Sequence, residues 1–297
     1  MNLNKVIKYF IATFTILLIL VTIGYVIYDK LSVPKANCYA AIATDIHYLA
    51  LENDMSDTEY EAILESNDGK ILERSEELTD EFIRAVINQN PEILILTGDI
   101  SFNGDERDHM AIADKLRSIE EAGIDVIVTP GNHDITPDFN GEQFMDTYKD
   151  FGYSQALAKD KSSLSYVYQA SDTLRILMID SNTESECNIS DETLAWIRTQ
   201  FVDAKENHMA VWAAGHQIIY DTIMFADGFT IVQAKELRAL FEEYGVHLYL
   251  SGHTHMQHIH KENGVTEITT SALSVTPLQF GILASEGRRV KYHTLSA

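Results

Sequence analysis

Basic residues are scarce in this sequence. The 297 residues include 22 Lys and Arg against 45 Asp and Glu, which gives a formal net charge of −23. Proteins bind duplex DNA and RNA largely by placing Lys and Arg on phosphates, so this composition argues against a duplex nucleic-acid partner. A small phosphate-bearing substrate would need a local source of positive charge, and metal ions are the obvious source.

Cysteine and proline are also rare, with two and five residues respectively. An oxidising compartment would permit a disulfide between Cys38 and Cys187, but the sequence does not show whether they meet, and two buried unbridged thiols are the simpler interpretation. The few prolines and the modest glycine content mark no obvious lid. No internal repeat, low-complexity tract or second domain boundary is visible, and 45% hydrophobic residues suffice for a full core.

One long uncharged stretch, residues 9–28, stands apart from the rest because it is about long enough to cross a bilayer as a helix. Lys5 and Lys8 precede it and few basic residues follow, so the positive-inside rule places residues 1–8 in the cytoplasm and the later chain outside it. We expect a signal anchor at 9–28, a linker at 29–37 and one domain at 38–297. A cleaved secretory signal is the alternative, although no good small-residue cleavage site follows.

Beyond the linker, apolar strands alternate with amphipathic helices. The predicted strands are 39–44, 92–97, 125–129, 174–179, 209–214 and 246–250. The predicted helices are 79–90, 109–123, 190–207 and 231–245. This alternation predicts an α/β domain with mostly parallel strands.

Two segments depart from that alternation. Residues 266–297 resemble short strands joined by turns, which predicts a second, partly antiparallel sheet. The acidic segment 52–81 is expected to form a loop and a helix near the surface.

Metal-capable side chains follow five of the predicted strands. They are Asp45, His47, Asp99, Asn132, His216, His253 and His255. A single strand-end histidine is more often structural than a ligand, but ligands of α/β sheets bind beyond the carboxyl ends of the strands, where these side chains would meet. In addition, His253 and His255 occupy alternate positions that can point to one face. Chance alone is a poor explanation for metal-capable side chains at the same end of five strands. We therefore predict a metal site there.

Read in chain order, these residues resemble the calcineurin-like metallophosphoesterase superfamily. Its pattern is D-x-H, G-D, G-N-H-[DE], a single H and G-H-x-H, and all five blocks occur here between residues 45 and 255. The flanking sequences TDIHYLA and LTGDISFNGD are most similar to the bacterial cyclic-nucleotide-phosphodiesterase-like branch. The resemblance implies a four-layer α/β-β/α sandwich of two mixed sheets flanked by helices, with two metal ions at the strand ends.

The resemblance also implies a role for each residue. One metal would be held by Asp45, His47, Asp99 and His255, and the other by Asp99, Asn132, His216 and His253. Mixed carboxylate and imidazole ligands suit Fe, Mn or Zn better than Mg or Ca. His133 is expected near the phosphate, where it would stabilise the phosphate or protonate the leaving oxygen, with Asp134 orienting it. His258 and His260 are assigned to the surface of a strand leaving the site, and His109 to a structural or solvated position.

The function that follows is metal-dependent hydrolysis of a small phosphate ester. A phosphodiester similar to a cyclic nucleotide is favoured, cleaved outside the cytoplasm by in-line attack of a hydroxide that bridges the metals. A phosphomonoesterase or nucleotidase on the same metals is the alternative within the enzyme class. A catalytically silent binding scaffold is the alternative outside it, although none of the implied ligands is missing. Association with the membrane is expected through residues 9–28.

Overall fold

The computed structural model describes residues 3–31, 36–51, 56–183, 185, 187–224, 228–287 and 289–297. They fall into two compact units, Met1–Pro34 and Lys35–Ala297. Part of the predicted linker, residues 32–35, lies outside the described residues.

The described residues of the first unit form one helix, α1 (Leu3–Leu31). Within it, Ile7–Tyr25 is long and apolar enough to cross a membrane, and that segment has none of its residues buried. The helix begins before the predicted segment because Lys5 and Lys8 continue its backbone hydrogen bonding without belonging to the apolar stretch. Length and composition therefore make it a candidate span or a signal sequence.

The described residues of the second unit contain two mixed sheets. Its strands are β1 (Ala36–Ala43), β2 (Ile93–Leu96), β3 (Asp125–Val128), β4 (Ala158–Lys159), β5 (Tyr166–Gln169), β6 (Leu174–Ile179), β7 (Ala210–Gly215), β8 (Leu248–Ser251), β9 (His258–Glu262), β10 (Val265–Thr269), β11 (Gln279–Gly287) and β12 (Arg289–Ser296). The five-stranded sheet has the order β12-β11-β1-β2-β3, and the seven-stranded sheet has the order β4-β5-β6-β7-β8-β10-β9.

Parallel register brings the carboxyl ends of the central strands to one level. Ala43 of β1 pairs with Leu96 of β2, which in turn pairs with Val128 of β3. In the other sheet, Ala214 of β7 pairs with Leu250 of β8. The loops that leave these strands therefore start side by side within each sheet, as the strand-end prediction requires.

Among the described residues of this unit, six α-helices accompany the sheets. They are α2 (Asp57–Glu65), α3 (Ser75–Gln89), α4 (Glu106–Glu121), α5 (Gly141–Thr147), α6 (Asp191–Glu206) and α7 (Ala234–Tyr244). A short 3₁₀ helix covers Leu72–Arg74 and a short π-helix covers Lys149–Tyr153. Side chains that cap their starts include Asp105 for α4, Asn140 for α5 and Ser190 for α6.

The alternation of side chains along β6 and β7 shows how the layers pack. Ile176 and Trp212 belong to a large core shared with residues of the five-stranded sheet. Leu177 and Ala213, one residue further along, belong to a second core that contains Leu237 and Phe241 of α7 together with residues of α6. Because successive strand residues point to opposite faces, one face of this sheet covers the other sheet's core and the opposite face covers helices. The predicted sandwich of two mixed sheets flanked by helices is confirmed.

The carboxy-terminal prediction needs a correction. Residues 266–297 do not form a separate sheet, because β10 joins the seven-stranded sheet while β11 and β12 extend the five-stranded one. Strand β11 pairs antiparallel with the free edge of β1 over the whole length from Ala36 to Ile42. In a sheet of β1, β2 and β3 alone, the backbone N–H and C=O groups on that edge of β1 would lack partners. The antiparallel pair of β11 and β12 supplies them through β11.

The expectation for segment 52–81 is also only partly met. Helix α2 is largely exposed at its described side chains, but Lys70, Leu72 and Ser75 are buried. Leu72 packs in a small cluster with Leu49 and Phe102, near the loops that follow β1 and β2. The later half of the segment thus belongs to the interior rather than to the surface.

Candidate metal centre

Loops after β1, β2, β3, β7 and β8 bring all the predicted ligands into two adjoining groups. The first group contains Asp45, His47 and His255. Its ligand atoms are close: His255 Nε2 lies 3.3 Å from Asp45 Oδ1 and 3.3 Å from His47 Nε2. His47 Nε2 lies 3.8 Å from Asp45 Oδ1. The two ends of this group are separated by more than 200 residues in sequence.

The second group contains Asp99, His216 and His253, with Asn132 beside them. His216 Nε2 is its centre, 3.2 Å from Asp99 Oδ2, 3.1 Å from His253 Nδ1 and 3.1 Å from Asn132 Oδ1. Asp99 Oδ2 also lies 3.6 Å from His47 Nε2 of the first group. Asp99 therefore stands between the two groups, in the position implied for a bridging ligand.

The hydrogen bonds of these residues leave their remaining atoms suited to a cation. The His216 Nδ1–H donates to the Thr97 carbonyl at 2.8 Å, so Nε2 is the ring nitrogen left for a metal. Asp45 Oδ2 accepts from Thr44 Oγ1 and from the His253 backbone N–H, at 2.7 and 3.0 Å. Its other oxygen, Oδ1, is buried without a hydrogen-bond partner among the described residues. A buried, unpaired carboxylate oxygen facing two imidazoles fits a metal ligand.

Left-handed backbone is concentrated at the predicted ligands. The φ angle is positive at Asp45 (52°), His47 (45°), Asp99 (50°), His253 (67°) and His255 (58°). Such angles are uncommon for residues other than glycine and cost free energy at each position. Their clustering here indicates that the surrounding structure holds the ligand loops in an otherwise unfavourable conformation, which places the predicted ligands at the site.

Two motif glycines leave room for the carboxylates. A methyl group at Gly131 would overlap the backbone nitrogen and the carboxylate of Asp99. A methyl group at Gly252 would overlap the Thr44 hydroxyl and lie 2.7 Å from Asp45 Oδ2. Gly131 is thus required because the Asp99 carboxylate passes where a Cβ would stand, and Gly252 because the Thr44 hydroxyl and the Asp45 carboxylate do so.

At neutral pH, the pKa shifts favour ligation by most of these residues and oppose it at His216. Burial lowers the pKa of His47 and of His253 to about 3, so both rings are neutral bases. For Asp45 and Asp99, burial raises the pKa, but the facing imidazoles outweigh it and leave both pKa values below the ordinary range. For His216, burial lowers the pKa, whereas Asp99 raises it to about 9. A cation would therefore displace a proton from His216 on binding.

His133 belongs to neither set of implied ligands, but it forms a third group of potential metal ligands with His47 and Asp99. Its Nδ1–H donates to the Phe102 carbonyl at 3.0 Å, and its ring meets that of His47 edge-on with centroids 4.9 Å apart. Its backbone N–H donates to Asp99 Oδ1 at 2.9 Å. The ring is therefore oriented by a backbone carbonyl, and Nε2 is left as its second polar atom.

Asp134 has a different environment from the one expected for an orienting partner. Its fully buried carboxylate accepts hydrogen bonds from the Gly131, Ile100 and Ser101 backbone N–H groups and from the Ser101 hydroxyl. Burial and the charge of Asp99 raise its pKa to about 6, against the effect of these donors. Asp134 thus ties the loop after β3 to the loop after β2, and these hydrogen bonds fix the position of Asn132 and His133 through the backbone.

The cavity at the centre adds residues that the sequence motifs did not indicate. It has a volume of about 490 Å³ and is lined by Asp68, Lys70, Asp99, Asn132, His133, Gly228, Phe229, His253, Thr254 and His255. Phe229 packs against His253 with ring centroids 4.6 Å apart. Lys70 is 4% exposed. Neither residue belongs to a strand-end motif, and the only signal for Lys70 was the turn sequence Asn67-Asp68-Gly69 before it.

The remaining predicted histidines lie outside the two groups. His258 and His260 are on β9, where His258 Nε2 is 3.1 Å from Thr222 Oγ1 and His260 Nε2 is 3.3 Å from Glu262. They occupy the strand that leaves the site, as predicted. His109 is completely buried, so its structural role is the correct one of the two alternatives.

Comparison with known proteins decides the family. The family model described as calcineurin-like phosphoesterase matches residues 40–257. The chain belongs to this family. The matched range begins in β1 and ends two residues after His255, so it contains every predicted ligand.

Relatives of this calcineurin-like phosphoesterase are distant. A probable cyclic nucleotide phosphodiesterase of Xenorhabdus bovienii is 24% identical over 185 residues, which cover 62% of this chain and 68% of that protein. The human tartrate-resistant acid phosphatase type 5 is 36% identical over 80 residues, 27% of this chain and 23% of that protein. The chain thus matches only about a quarter of the acid phosphatase.

Solved structures agree on the fold. A dimetal phosphatase from Danio rerio superposes with a TM-score of 0.63 at 13% identity, covering 89% of this chain and 99% of that one. A purple acid phosphatase from yellow lupin gives a TM-score of 0.57 at 16% identity, covering 87% of this chain and 52% of that one. At such identities the likeness concerns the fold. The chain is therefore a dinuclear metallophosphoesterase by family and architecture, with both phosphodiesterases and phosphatases among its relatives.

Proposed function

We propose that this chain hydrolyses a small phosphodiester at a two-metal site. The observation that carries the proposal is the position of Asp99, whose Oδ2 lies 3.2 Å from His216 Nε2 in one ligand group and 3.6 Å from His47 Nε2 in the other. Two ligand groups joined by one carboxylate can hold two cations close together, and this arrangement suits displacement at phosphorus.

The ligand assignment follows the two groups. Asp45, His47, Asp99 and His255 would hold one metal, and Asp99, Asn132, His216 and His253 the other. Carboxylate, amide and imidazole donors fit Fe, Mn or Zn. When bound, the two metals supply positive charge at the transferring phosphoryl group and activate the water that attacks it.

Side chains of the protein would bind the phosphate, transfer the proton and position the loop that carries these groups. His133 borders the cavity with its Nδ1–H held by the Phe102 carbonyl, which directs the opposite side of the ring away from that bond. We assign to His133 Nε2 the hydrogen bond to the phosphate or the proton for the leaving oxygen, a role typically worth about 10²–10⁴-fold in rate. Asp134 is assigned the role of a positioning residue, because it fixes the loop that carries Asn132 and His133.

Support for a diester comes from the named relative, a probable cyclic nucleotide phosphodiesterase. The alternative, a phosphomonoesterase or nucleotidase, is supported by the acid phosphatase among the relatives. Comparison of a bis-aryl with a mono-aryl phosphate as substrate separates the two. Hydrolysis of the bis-aryl ester with the higher kcat/KM is the result expected.

The decisive variant is Asp99→Asn in the full-length, detergent-solubilised chain, with Asp138→Asn as control because Asp138 is exposed and outside the cavity. Elemental analysis should find about two metal ions per chain in the wild type and control, and fewer in Asp99→Asn. Hydrolysis of both esters, assayed with added Mn, Fe and Zn, should disappear with the metal. Full activity of Asp99→Asn with unchanged metal content would refute the scheme. Two bound metals without hydrolysis of any ester would support the scaffold instead.

We further propose that α1 is an uncleaved anchor and that the domain at 38–297 lies outside the cytoplasm. The proposal is supported by the length of the apolar segment Ile7–Tyr25 and by Lys5 and Lys8 before it. Intact mass of the membrane-extracted protein distinguishes anchor from cleaved signal. Protease added outside a bacterial host with a permeabilised outer layer should digest the domain, and full protection of the domain would contradict this topology.

A further inference from the structure

We propose that Lys70 is a substrate-binding residue whose ammonium holds an anionic oxygen beyond the single negative charge of a simple diester. Among diesters, the chain would then prefer one with an adjacent anionic group, and Lys70 would also strengthen the binding of a monoester dianion. This inference rests on the proposed function and names the charge class of its substrate.

The backbone around Lys70 is fixed to the metal site. Asp68 and Gly69 adopt left-handed conformations, with φ of 49° and 82°, and the Lys70 N–H donates to the Asn67 carbonyl at 3.0 Å. The next residue, Ile71, donates its N–H to the Ser274 carbonyl at 2.9 Å. Ser274 Oγ in turn donates to the carbonyl of Asp45 at 2.8 Å. Two hydrogen bonds therefore connect the segment of Lys70 with a predicted ligand.

The side chain of Lys70 is buried and lines the cavity together with Asp99, His133 and His255. Lysine is almost never buried unless it is paired. No hydrogen bond or ion pair of its ammonium occurs within the described part of the chain. An unpartnered ammonium at the end of a largely buried side chain that lines an open cavity can bind an anion that enters the cavity.

Electrostatics agree with this location. Burial is the main cause that lowers the pKa of His47, and the charge of Lys70 acts in the same direction. Lys70 therefore lies close enough to His47 to act on the ligand group of Asp45, His47 and His255. Asp68, the acidic residue nearest in sequence that borders the cavity, is exposed and forms no ion pair with Lys70 among the described residues.

The charge balance of the site indicates which substrates Lys70 would help to bind. Two divalent ions carry more positive charge than the carboxylates of Asp45 and Asp99 neutralise, and Lys70 adds one further positive charge. A simple diester carries one negative charge, whereas a phosphate monoester carries about 1.5–2 near neutral pH. Lys70 thus shifts the site toward the dianion, in a protein whose overall charge of −23 would otherwise disfavour it.

The test compares Lys70→Met with Lys159→Met, which removes an exposed lysine from strand β4. Calorimetry on the metal-loaded full-length chain measures the affinity for inorganic phosphate. A hydrogen bond to a charged group corresponds to a change of about 10- to 100-fold in affinity, and we expect Lys70→Met to lose this much while the control loses none. The KM for a mono-aryl phosphate should rise by the same factor, with metal content unchanged and a smaller rise for a bis-aryl phosphate. Lys70→Arg should retain most of the affinity because it keeps the charge.

Three results would overturn the proposal. They are a phosphate affinity of Lys70→Met within about twofold of the control, an equal rise in KM for both esters, and loss of metal from the variant. If Lys70→Met does not fold, Lys70→Gln replaces it, and the same three results for phosphate affinity, KM and metal content would overturn the proposal. The affinity for phosphate can be measured without hydrolysis. If the protein hydrolyses neither ester, the proposed function is refuted, and the affinity measurement still tests the role of Lys70.

Discussion

His216 and His253 leave neighbouring strands β7 and β8, and His216 Nε2 lies 3.1 Å from His253 Nδ1. The Gly252 N–H donates to the His216 carbonyl at 2.9 Å, so the two loops are also joined through their backbones. Different ring nitrogens face the site in the two residues, because His216 uses its Nδ1–H for the Thr97 carbonyl. The tautomer of His216 is therefore set by a carbonyl on the loop after β2, in the other sheet.

Asn132 and His133 are adjacent in sequence, and their substitutions should have separable effects. Asn132→Ala removes an oxygen that lies 3.1 Å from His216 Nε2, so we expect the chain to retain about one metal ion instead of about two. His133→Ala should keep both metals and lose about 10²–10⁴-fold in kcat. Elemental analysis and steady-state kinetics on both variants check this. Loss of metal from His133→Ala would instead make His133 a ligand.

Gly131 should not tolerate a methyl group. In Gly131→Ala the new Cβ would overlap the Asp99 backbone nitrogen and lie 2.8 Å from the Asp99 carboxyl carbon. We expect a loss of about 1–3 kcal/mol in the free energy of unfolding, with weaker metal binding because Asp99 must move. Gly141→Ala is the control, since the three atoms nearest to its Cβ would all belong to the Leu164 side chain, the closest 3.3 Å away. Equal metal content in the two variants would show that Asp99 has room to adjust.

Asp134→Asn tests the positioning role. The carboxylate accepts four hydrogen bonds, and an amide NH₂ cannot accept any of those directed at the oxygen it replaces. Two donors should lose their acceptor, which costs about 2–4 kcal/mol in the free energy of unfolding. Denaturant unfolding of Asp134→Asn against Asp138→Asn measures the difference. An activity loss without any loss of stability would indicate direct participation of Asp134 in the chemistry instead.

Most of the site was predictable because its ligands obey a topological rule. Asp45 follows β1, Asp99 follows β2 and His216 follows β7, and parallel register brings such residues together without any knowledge of side-chain packing. The left-handed backbone at Asp45 and His253 was not predictable, since neither residue type nor position demands it. It depends on contacts between loops from different strands, such as the hydrogen bond from the His253 N–H to Asp45 Oδ2.

The position of Lys70 was missed, and the C-terminal strands were assigned to the wrong sheet, for a related reason. Segment 52–81 is rich in acidic residues, and local composition gave no sign that the chain from Lys70 to Ser75 turns inward. The burial arises from the bond between Ile71 and Ser274, residues about 200 positions apart. In the same way, β11 pairs with β1 across most of the chain, and alternation of apolar residues does not specify which free edge a late strand joins.

Stability should depend on pH through His109. This residue of α4 is fully buried and stacks on Phe139 with ring centroids 4.1 Å apart. Its Nε2–H donates to the Asp134 carbonyl at 3.0 Å, and the Tyr148 hydroxyl donates to Nδ1 at 2.9 Å. Burial lowers the pKa of His109 from 6.5 to about 4, despite the opposite effect of the Asp134 carbonyl and the Asp105 charge. The folded state therefore keeps the ring neutral under conditions that protonate it in the unfolded chain.

Because the folded pKa lies below the unfolded one, the unfolded state binds more protons between about pH 6.5 and 4. The stability contributed by neutral His109 is complete above pH 6.5 and falls as the pH is lowered through this window. The loss from this residue should reach about 2 kcal/mol at pH 5. His109→Gln offers the same two hydrogen-bonding partners without a titrating group. Denaturant unfolding of wild type and His109→Gln at pH 7.5 and pH 5 isolates the effect, since all other groups are common to both. The wild type should lose about 2 kcal/mol more than the variant between these conditions, and equal losses would mean that His109 is protonated in the folded protein.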